Sequence, residues 1–249
     1  MSAMLDRSNL ELAYMTWVEI REKVKEGYRT LVVPVGSTEQ HGPHLPVFTD
    51  SILAHHISLS LARGITGLVG PVINLGYSPY HLSFPGTISL SSETLKSILR
   101  DYLSSLRGQG FERIIVLSAH RGNFRHINDV VGELRGEVRI ETYPDFEKFS
   151  ELINQPALKR GIPREVVGAH GGVGETSLML YLEPSTVRMD RASKGFVGDV
   201  EEARRVMRSE GIHRVSSIGV IGDPTLASAE IGEEAFTLLV RELRSYFGS

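Results

Sequence analysis

Short apolar runs alternate with longer amphipathic stretches along most of this 249-residue chain. That alternation restricts the fold more than any other feature, because repeated βα units build a largely parallel sheet whose faces helices must cover. Thr16 and Glu19 form a capping box that opens a helix to about Glu26, and Leu31 to Val35 follows as a buried strand stopped by Gly36. A helix from about Ser51 to Arg63, with Gly64 as its stop, leads to apolar segments at Gly67 to Val69 and Val72 to Leu75. A third unit runs from Ser92 to about Arg107, turns at Gly108 and Gly110, and enters the strand Arg113 to Leu117. A helix from about Asn123, a strand at Val138 to Tyr143, a helix at Gly174 to Tyr181 and a long amphipathic helix at Ala229 to Phe247 complete the reading. The stretch from Pro144 to Pro163 takes no clear assignment. With no internal repeat, low-complexity tract or linker, and 41% hydrophobic residues to fill a core, the expectation is one α/β domain over residues 1–249.

Composition narrows the chemistry. There is no cysteine, so disulfides and thiolate ligands are excluded and a metal would be held by histidine and carboxylate. That favours Zn, Mn, Fe or Mg. The formal charge of −3, with both signs well mixed, offers no basic face for nucleic acid. No run approaches the roughly 20 apolar residues of a membrane span. The first residues, with Asp6, Arg7, Glu11 and Trp17, lack the order of a signal peptide. A soluble, cytoplasmic protein is expected.

Three clusters follow the ends of apolar runs, where ligands gather in an open α/β sheet. The first spans Gly36 to Pro46 and reaches Thr49-Asp50. Glu39 and His41 are two apart, so an extended backbone sends both side chains the same way. Asp50 could bridge two metals through its two oxygens, and is equally suited to capping the next helix. His44, His55 and His56 are weaker candidates, since histidine serves many packed and surface roles. The second cluster, Ser118 to Asn123, supplies His120 as a ligand or as a structural histidine, with Asn123 as a helix cap. The third, Gly168 to Ser177, supplies His170 and places Glu175 in the first turn of a helix, where it would also complement the dipole. It carries neither a dinucleotide fingerprint nor a phosphate-loop lysine. Together these donors suit a site for hard divalent ions, with His170 left for proton transfer.

The run Gly36 to Pro46 with Thr49-Asp50 resembles the creatininase (creatinine amidohydrolase) family, as do Ser78 to His81 and Phe84 to Thr87. Ser118 to Asn123, His170 to Ser177, Gly222 to Pro224 and Ala227 to Ala229 carry the likeness to the end of the chain. The resemblance implies a three-layer α/β/α sandwich, two divalent metals (Zn, Mn or Fe) and a homohexamer. It places Glu39 and His120 on one metal, His41 and Glu175 on the other, and Asp50 on both. Hydrolysis of a carbon–nitrogen bond other than a peptide bond is implied, in a small cyclic amide or formamide. His170 would protonate the leaving nitrogen, with Glu175 as a possible second base, and Ser78, His81 or Arg121 would orient the substrate. Creatininases acting on creatinine carry a glutamate two residues past the strand-end histidine, where this chain has Gly122, so Glu175 is the substitute ligand. They also wall their pocket with tryptophans, whereas the single tryptophan here is Trp17, which makes creatinine a doubtful substrate. Other relatives are a formamide hydrolase of flavin and deazaflavin synthesis and a peptidase that matures a redox peptide. An oligomer with a purely structural metal, or a two-metal phosphoesterase, are the rival readings, the latter short of phosphate-binding cations beyond Arg121.

Overall fold

The computed structural model describes residues 9–134 and 138–248; Asp6 and Arg7 lie outside them. In chain order it contains helix α1 (Trp17–Lys25), strand β1 (Thr30–Val35), α2 (Thr49–Gly64), β2 (Gly67–Val69), α3 (Ser92–Ser105), β3 (Arg113–Ser118) and α4 (Arg121–Glu133). Then come β4 (Arg139–Thr142), α5 (Phe146–Lys159), α6 (Arg164–Val167), α7 (Val173–Leu182), α8 (Val200–Glu210) and α9 (Ala229–Phe247). The four strands form one parallel sheet in the order β2-β1-β3-β4.

Alternation along the central strands divides the interior into two cores. Val32, Ile115 and Leu117 face one side and pack with Leu53, Ile57 and Leu61 of α2, Phe149 of α5 and Leu239 and Leu243 of α9. Leu31, Val33, Val35, Ile114 and Val116 face the other and pack with Leu95, Leu99 and Leu103 of α3 and Ile127 and Val130 of α4. Each fully buried Val, Leu or Ile is worth about 1.5–3 kcal/mol, so the β1–β3 pair, covered on both faces, is the mechanical centre of the three-layer sandwich.

β1 and β3 are paired over six positions, from Thr30 opposite Arg113 to Val35 opposite Ser118. Their carboxyl ends therefore stop at the same height, which sets the loop after Gly36 beside Ala119 and His120. The chain leaves β1 toward β2 on one side and returns to β3 on the other, so this is also where strand order reverses and a crevice opens. Asn123 locks the junction. It lies inside the first turn of α4 rather than capping it, fully buried, with its Nδ2 donating to Gly36 O (2.8 Å) and its Oδ1 accepting from Tyr77 N (3.0 Å).

Other sequence expectations shift in the same local way. Gly64 is the last residue of α2 instead of the residue beyond it, and the turn is completed by Thr66 at φ 53°. Val72 to Leu75 makes only a bridge from Ile73 to Val35, because the pairing slips by one residue after Gly70: Gly70 N donates to Val32 O, and the next donor to β1 is Ile73 N, to Pro34 O. The unassigned stretch after Pro144 is α5, capped by Asp145 and carrying Pro156 in its last turn. Replacing Asn123 with Ala leaves Gly36 O and Tyr77 N unpartnered in the interior, at about 1–3 kcal/mol each. Urea unfolding of Asn123→Ala should show a clearly lowered midpoint, and an unchanged midpoint would contradict this role.

Candidate metal centre

The side chains that the sequence singled out arrive from four loops at the carboxyl edge of the sheet. Glu39 and His41 stand on the segment after β1, held extended by a bridge from Thr38 to Ile88 and by Glu39 N donating to Val47 O (2.8 Å). Asp50 occupies the first turn of α2 but does not cap it: the cap position is Phe48, and the carboxylate turns inward, 2% exposed. His120 stands two residues beyond β3, at the N-cap of α4, where its N–H donates to Ser118 Oγ (3.1 Å). His170 and Glu175 flank the turn into α7. The loop passes so close to Ile221 that a Cβ on Gly168 (φ 80°) would sit 1.9 Å from Ile221 O, so glycine is required there.

Asp50 is the hub. Its Oδ1 lies 3.3 Å from His41 Nε2 and its Oδ2 lies 3.0 Å from His120 Nδ1. Glu39 Oε2 is 3.6 Å from His120 Nε2, and Glu39 Oε1 is 3.5 Å from His81 Nε2 and 3.6 Å from His170 Nδ1. The other ring nitrogens are committed to backbone. His41 Nδ1–H donates to Glu39 O (2.9 Å), His120 Nε2–H to Tyr77 O (3.0 Å) and His170 Nε2–H to Gln40 O (2.8 Å). A carbonyl can only accept, so each ring presents a lone pair on its inner nitrogen. Lone pairs of histidine thus confront carboxylate oxygens.

That arrangement needs a cation. Glu39 Oε2, His41 Nε2 and Asp50 Oδ2 are buried without a hydrogen-bond partner, a condition costly enough that native structures compensate it by pairing or metal coordination. The protons that fill the gap show the same demand. Burial lowers the affinity of His41 for a proton, yet Asp50, Glu175 and Glu39 overcome it and push the ring up to about 10. His120 is likewise depressed by burial but raised by Glu39 and Asp50 to about 9. Burial alone would raise the Asp50 carboxyl, whereas the two histidines hold it well below the usual aspartate range. Glu175 is raised by burial, while its Oε2 accepts from Gly171 N (2.6 Å). Among the described residues, three sets offer donor atoms all within 4.8 Å of one another: Glu39, Asp50 and His120; His41, His170 and Glu175; and Glu39, His81 and His170. The donor set fits hard or borderline divalent ions.

Gly122 leaves no room for a carboxylate of its own, while Glu175 lies within 4.8 Å of His41 and His170 in one of the donor sets. A Cβ at 122 would lie 2.2 Å from Tyr77 O and 2.4 Å from His120 Nε2, so no side chain fits there in this chain. Gln40, which sequence reading passed over, lies between the two candidate ligands of the first motif. Its amide donates to Gly219 O and to His81 Nδ1 (both 3.1 Å), and its Oε1 accepts from Gly42 N (2.9 Å). His81 consequently keeps its proton on Nε2, facing Glu39. His44 is buried outside the cluster, its Nε2 paired with Thr176 Oγ1 (2.9 Å), so it ties the first motif to α7; burial and the charge of His41 hold it neutral, down to about 4. His55 pairs with Glu11 and His56 with Glu183, away from the centre. Ser78 is 1% exposed and shares its hydroxyl with Ser37 (2.7 Å) and His120 (3.3 Å), behind the ring. Arg121 stands apart, paired with Glu147 (2.6 Å) and stacked over Phe146.

The Creatininase family model, creatinine amidohydrolase, matches residues 13–247. The chain belongs to the creatininase family. A mycofactocin precursor peptide peptidase of Mycobacterium ulcerans is 33% identical over 220 residues, covering 85% of this chain and 81% of the relative. The creatinine amidohydrolase of Pseudomonas putida is 33% identical over 190 residues, covering 71% of this chain and 73% of that enzyme. A solved creatinine amidohydrolase (creatininase) superposes with a TM-score of 0.79 at 27% identity, over 96% of this chain and 97% of the other. Further creatininase structures include a manganese form (TM-score 0.77, 27% identical, 97% and 100% covered) and a Zn-Zn form (0.76, 26% identical, 96% and 98% covered). This creatininase-family chain is a metal-dependent amidohydrolase, and a divalent metal suits its cluster. Elemental analysis of the metal-loaded protein should find the metal lost from Asp50→Ala and reduced in His120→Ala and His41→Ala; unchanged content in all three would contradict the placement.

Proposed function

We propose that the chain hydrolyses a non-peptide amide, a cyclic amide or a formamide, at a pair of divalent metals. Glu39 and His120 would hold one metal and His41 and Glu175 the other, with Asp50 able to offer an oxygen to each. The single observation that carries this reading is the Asp50 carboxylate, whose two oxygens each meet the inner lone pair of a different histidine. Zn, Mn or Fe would suit the oxygen and nitrogen donors. Bound metals of this kind lower the pKa of a water and polarise the substrate carbonyl.

The protein's own groups supply the proton path. His170 is kept neutral, well below the ordinary histidine value, first by burial and then by the charge of His41. Its Nδ1 lone pair faces the cluster, so it takes a proton from the attacking water and returns it to the leaving nitrogen as the C–N bond breaks. Water adds across the bond, giving a carboxylic acid and an amine. Glu175, raised by burial, stands beside it as a second base. His81, with Nε2–H turned inward, orients the substrate carbonyl.

Creatinine is disfavoured as the substrate, because Trp17 lies on α1, 70% exposed, under Arg21, and cannot wall the site. A homo-oligomer, hexameric by family likeness, belongs to the same proposal, supported by exposed Tyr14, Trp17 and Val18. A cytoplasmic setting completes it; among the described residues no helix is long and apolar enough to cross a membrane. The test is turnover of creatinine, other cyclic amides and formamides by Mn- or Zn-loaded protein beside His170→Ala. That variant should retain its metal and lose about 100-fold or more in kcat, the scale of acid–base catalysis. Near-normal turnover would remove His170 from the mechanism.

A further inference from the structure

Gln40 stands between Glu39 and His41 in the chain, 5% exposed, and backbone clamps its amide at both ends. Its Oε1 accepts from Gly42 N (2.9 Å), which can only donate, and its Nε2 donates to Gly219 O (3.1 Å), which can only accept. The amide therefore has one orientation. The turn at Gly219 (φ 73°) is shaped around it, since a Cβ there would lie 2.0 Å from Gln40 Oε1. One N–H of Nε2 remains to be placed. Two ring nitrogens lie within its reach, His81 Nδ1 and His170 Nε2, each at 3.1 Å.

The backbone of the same residue decides between them. Gln40 O is 2.8 Å from His170 Nε2, and a carbonyl oxygen only accepts, so that nitrogen carries a proton and has no lone pair for the amide. The remaining N–H goes to His81 Nδ1. Both rings are then protonated on Nε2, but they turn opposite ends to the cluster: His81 Nε2–H faces Glu39 Oε1 at 3.5 Å, and the bare Nδ1 of His170 faces the same oxygen at 3.6 Å. The ring centroids are 4.5 Å apart, so a donor and an acceptor stand side by side. Glu39, His81 and His170 bring donor atoms within 4.8 Å of one another. A ring nitrogen that bears hydrogen cannot ligate, so this third set is closed to a metal.

We propose that Gln40 is a positioning residue: its side-chain amide makes His81 a hydrogen-bond donor aimed into the cluster and bars it from ligating a metal, while its carbonyl keeps His170 an acceptor. His81 Nε2–H is then free to meet the oxygen of a substrate carbonyl as negative charge develops on it. That last role rests on the amide-hydrolysis reading above; the placement of the ring protons does not. A glutamate at position 40 would reverse His81 alone, because the carboxyl oxygen facing Nδ1 can only accept and would draw the ring proton to that nitrogen.

The test is two-bond proton–nitrogen NMR of the zinc-loaded protein, which separates bare from protonated ring nitrogens, with His81→Asn and His170→Asn to identify the two sets of signals. The starting protein should show both rings protonated on Nε2 and bare on Nδ1. In Gln40→Glu the His81 proton should move to Nδ1 while the His170 pattern stays as it was, a split that general loosening of the site would not produce. On formamide and dihydrouracil, kcat of Gln40→Glu should fall about 100-fold or more, the scale of one lost oxyanion donor, with KM little changed, as expected for a contact made in the transition state. Gln40→Met, which neither donates nor accepts in place of the amide, repeats the test should Gln40→Glu fold poorly; its His81 signals should divide between the two forms. A proton on His81 Nδ1 in the starting protein, an unaltered His81 pattern in both folded variants, or a joint change in both rings overturns the proposal. A loss carried by KM instead of kcat overturns the donor role of His81. Absence of amide turnover by the starting protein overturns the hydrolase reading, and the ring signals still decide the role of Gln40.

Discussion

One buried carboxylate sets the terms for the rest of the molecule. Asp50 is 2% exposed and meets a histidine at each oxygen, with Glu39 and Glu175 close by. Removing such a charge from water costs several kcal/mol per ion unless a counter-charge and well-placed partners repay it. Here the partners are the inner nitrogens of His41 and His120, so repayment falls to positive charge placed there, a proton on each ring or a metal ion. The backbone hydrogen bonds that fix the outer nitrogens of His41, His120 and His170 make this unavoidable, since the rings cannot turn their N–H groups inward without breaking them.

The fold delivers that arrangement by register. Because β1 and β3 end together, two motifs about 80 residues apart in the sequence are placed side by side, and α2 returns Asp50 beneath them. The third motif depends on different physics: close backbone contact between Gly168 and Ile221 draws the α6–α7 loop over the cluster.

Much of this was legible in the residues. The alternation of apolar and amphipathic stretches identified β1, β3, α2, α3 and α9 with boundaries close to those observed, because each buries a regular face against the sheet. α5 escaped notice since Pro156 interrupts its pattern, and α8 since it buries little beyond Ala203. The strand-end motifs pointed to Glu39, His41, Asp50 and His120, yet the chain could not show that Asp50 forgoes the capping role, that Asn123 is a buried tie between loops, or that Gly122 is forced by Tyr77 O. Those facts depend on contacts between segments distant in sequence. Gln40 was hidden for another reason: its value lies in the direction of one amide, which only the surrounding rings define.

The most direct measurement is anomalous diffraction at a metal absorption edge from crystals of the metal-loaded protein. Two peaks about 3.5–4 Å apart, the spacing of two-metal hydrolytic sites, should flank the Asp50 carboxylate, one beside Glu39 and His120 and the other beside His41 and Glu175. A single peak, or peaks away from Asp50, would contradict the account.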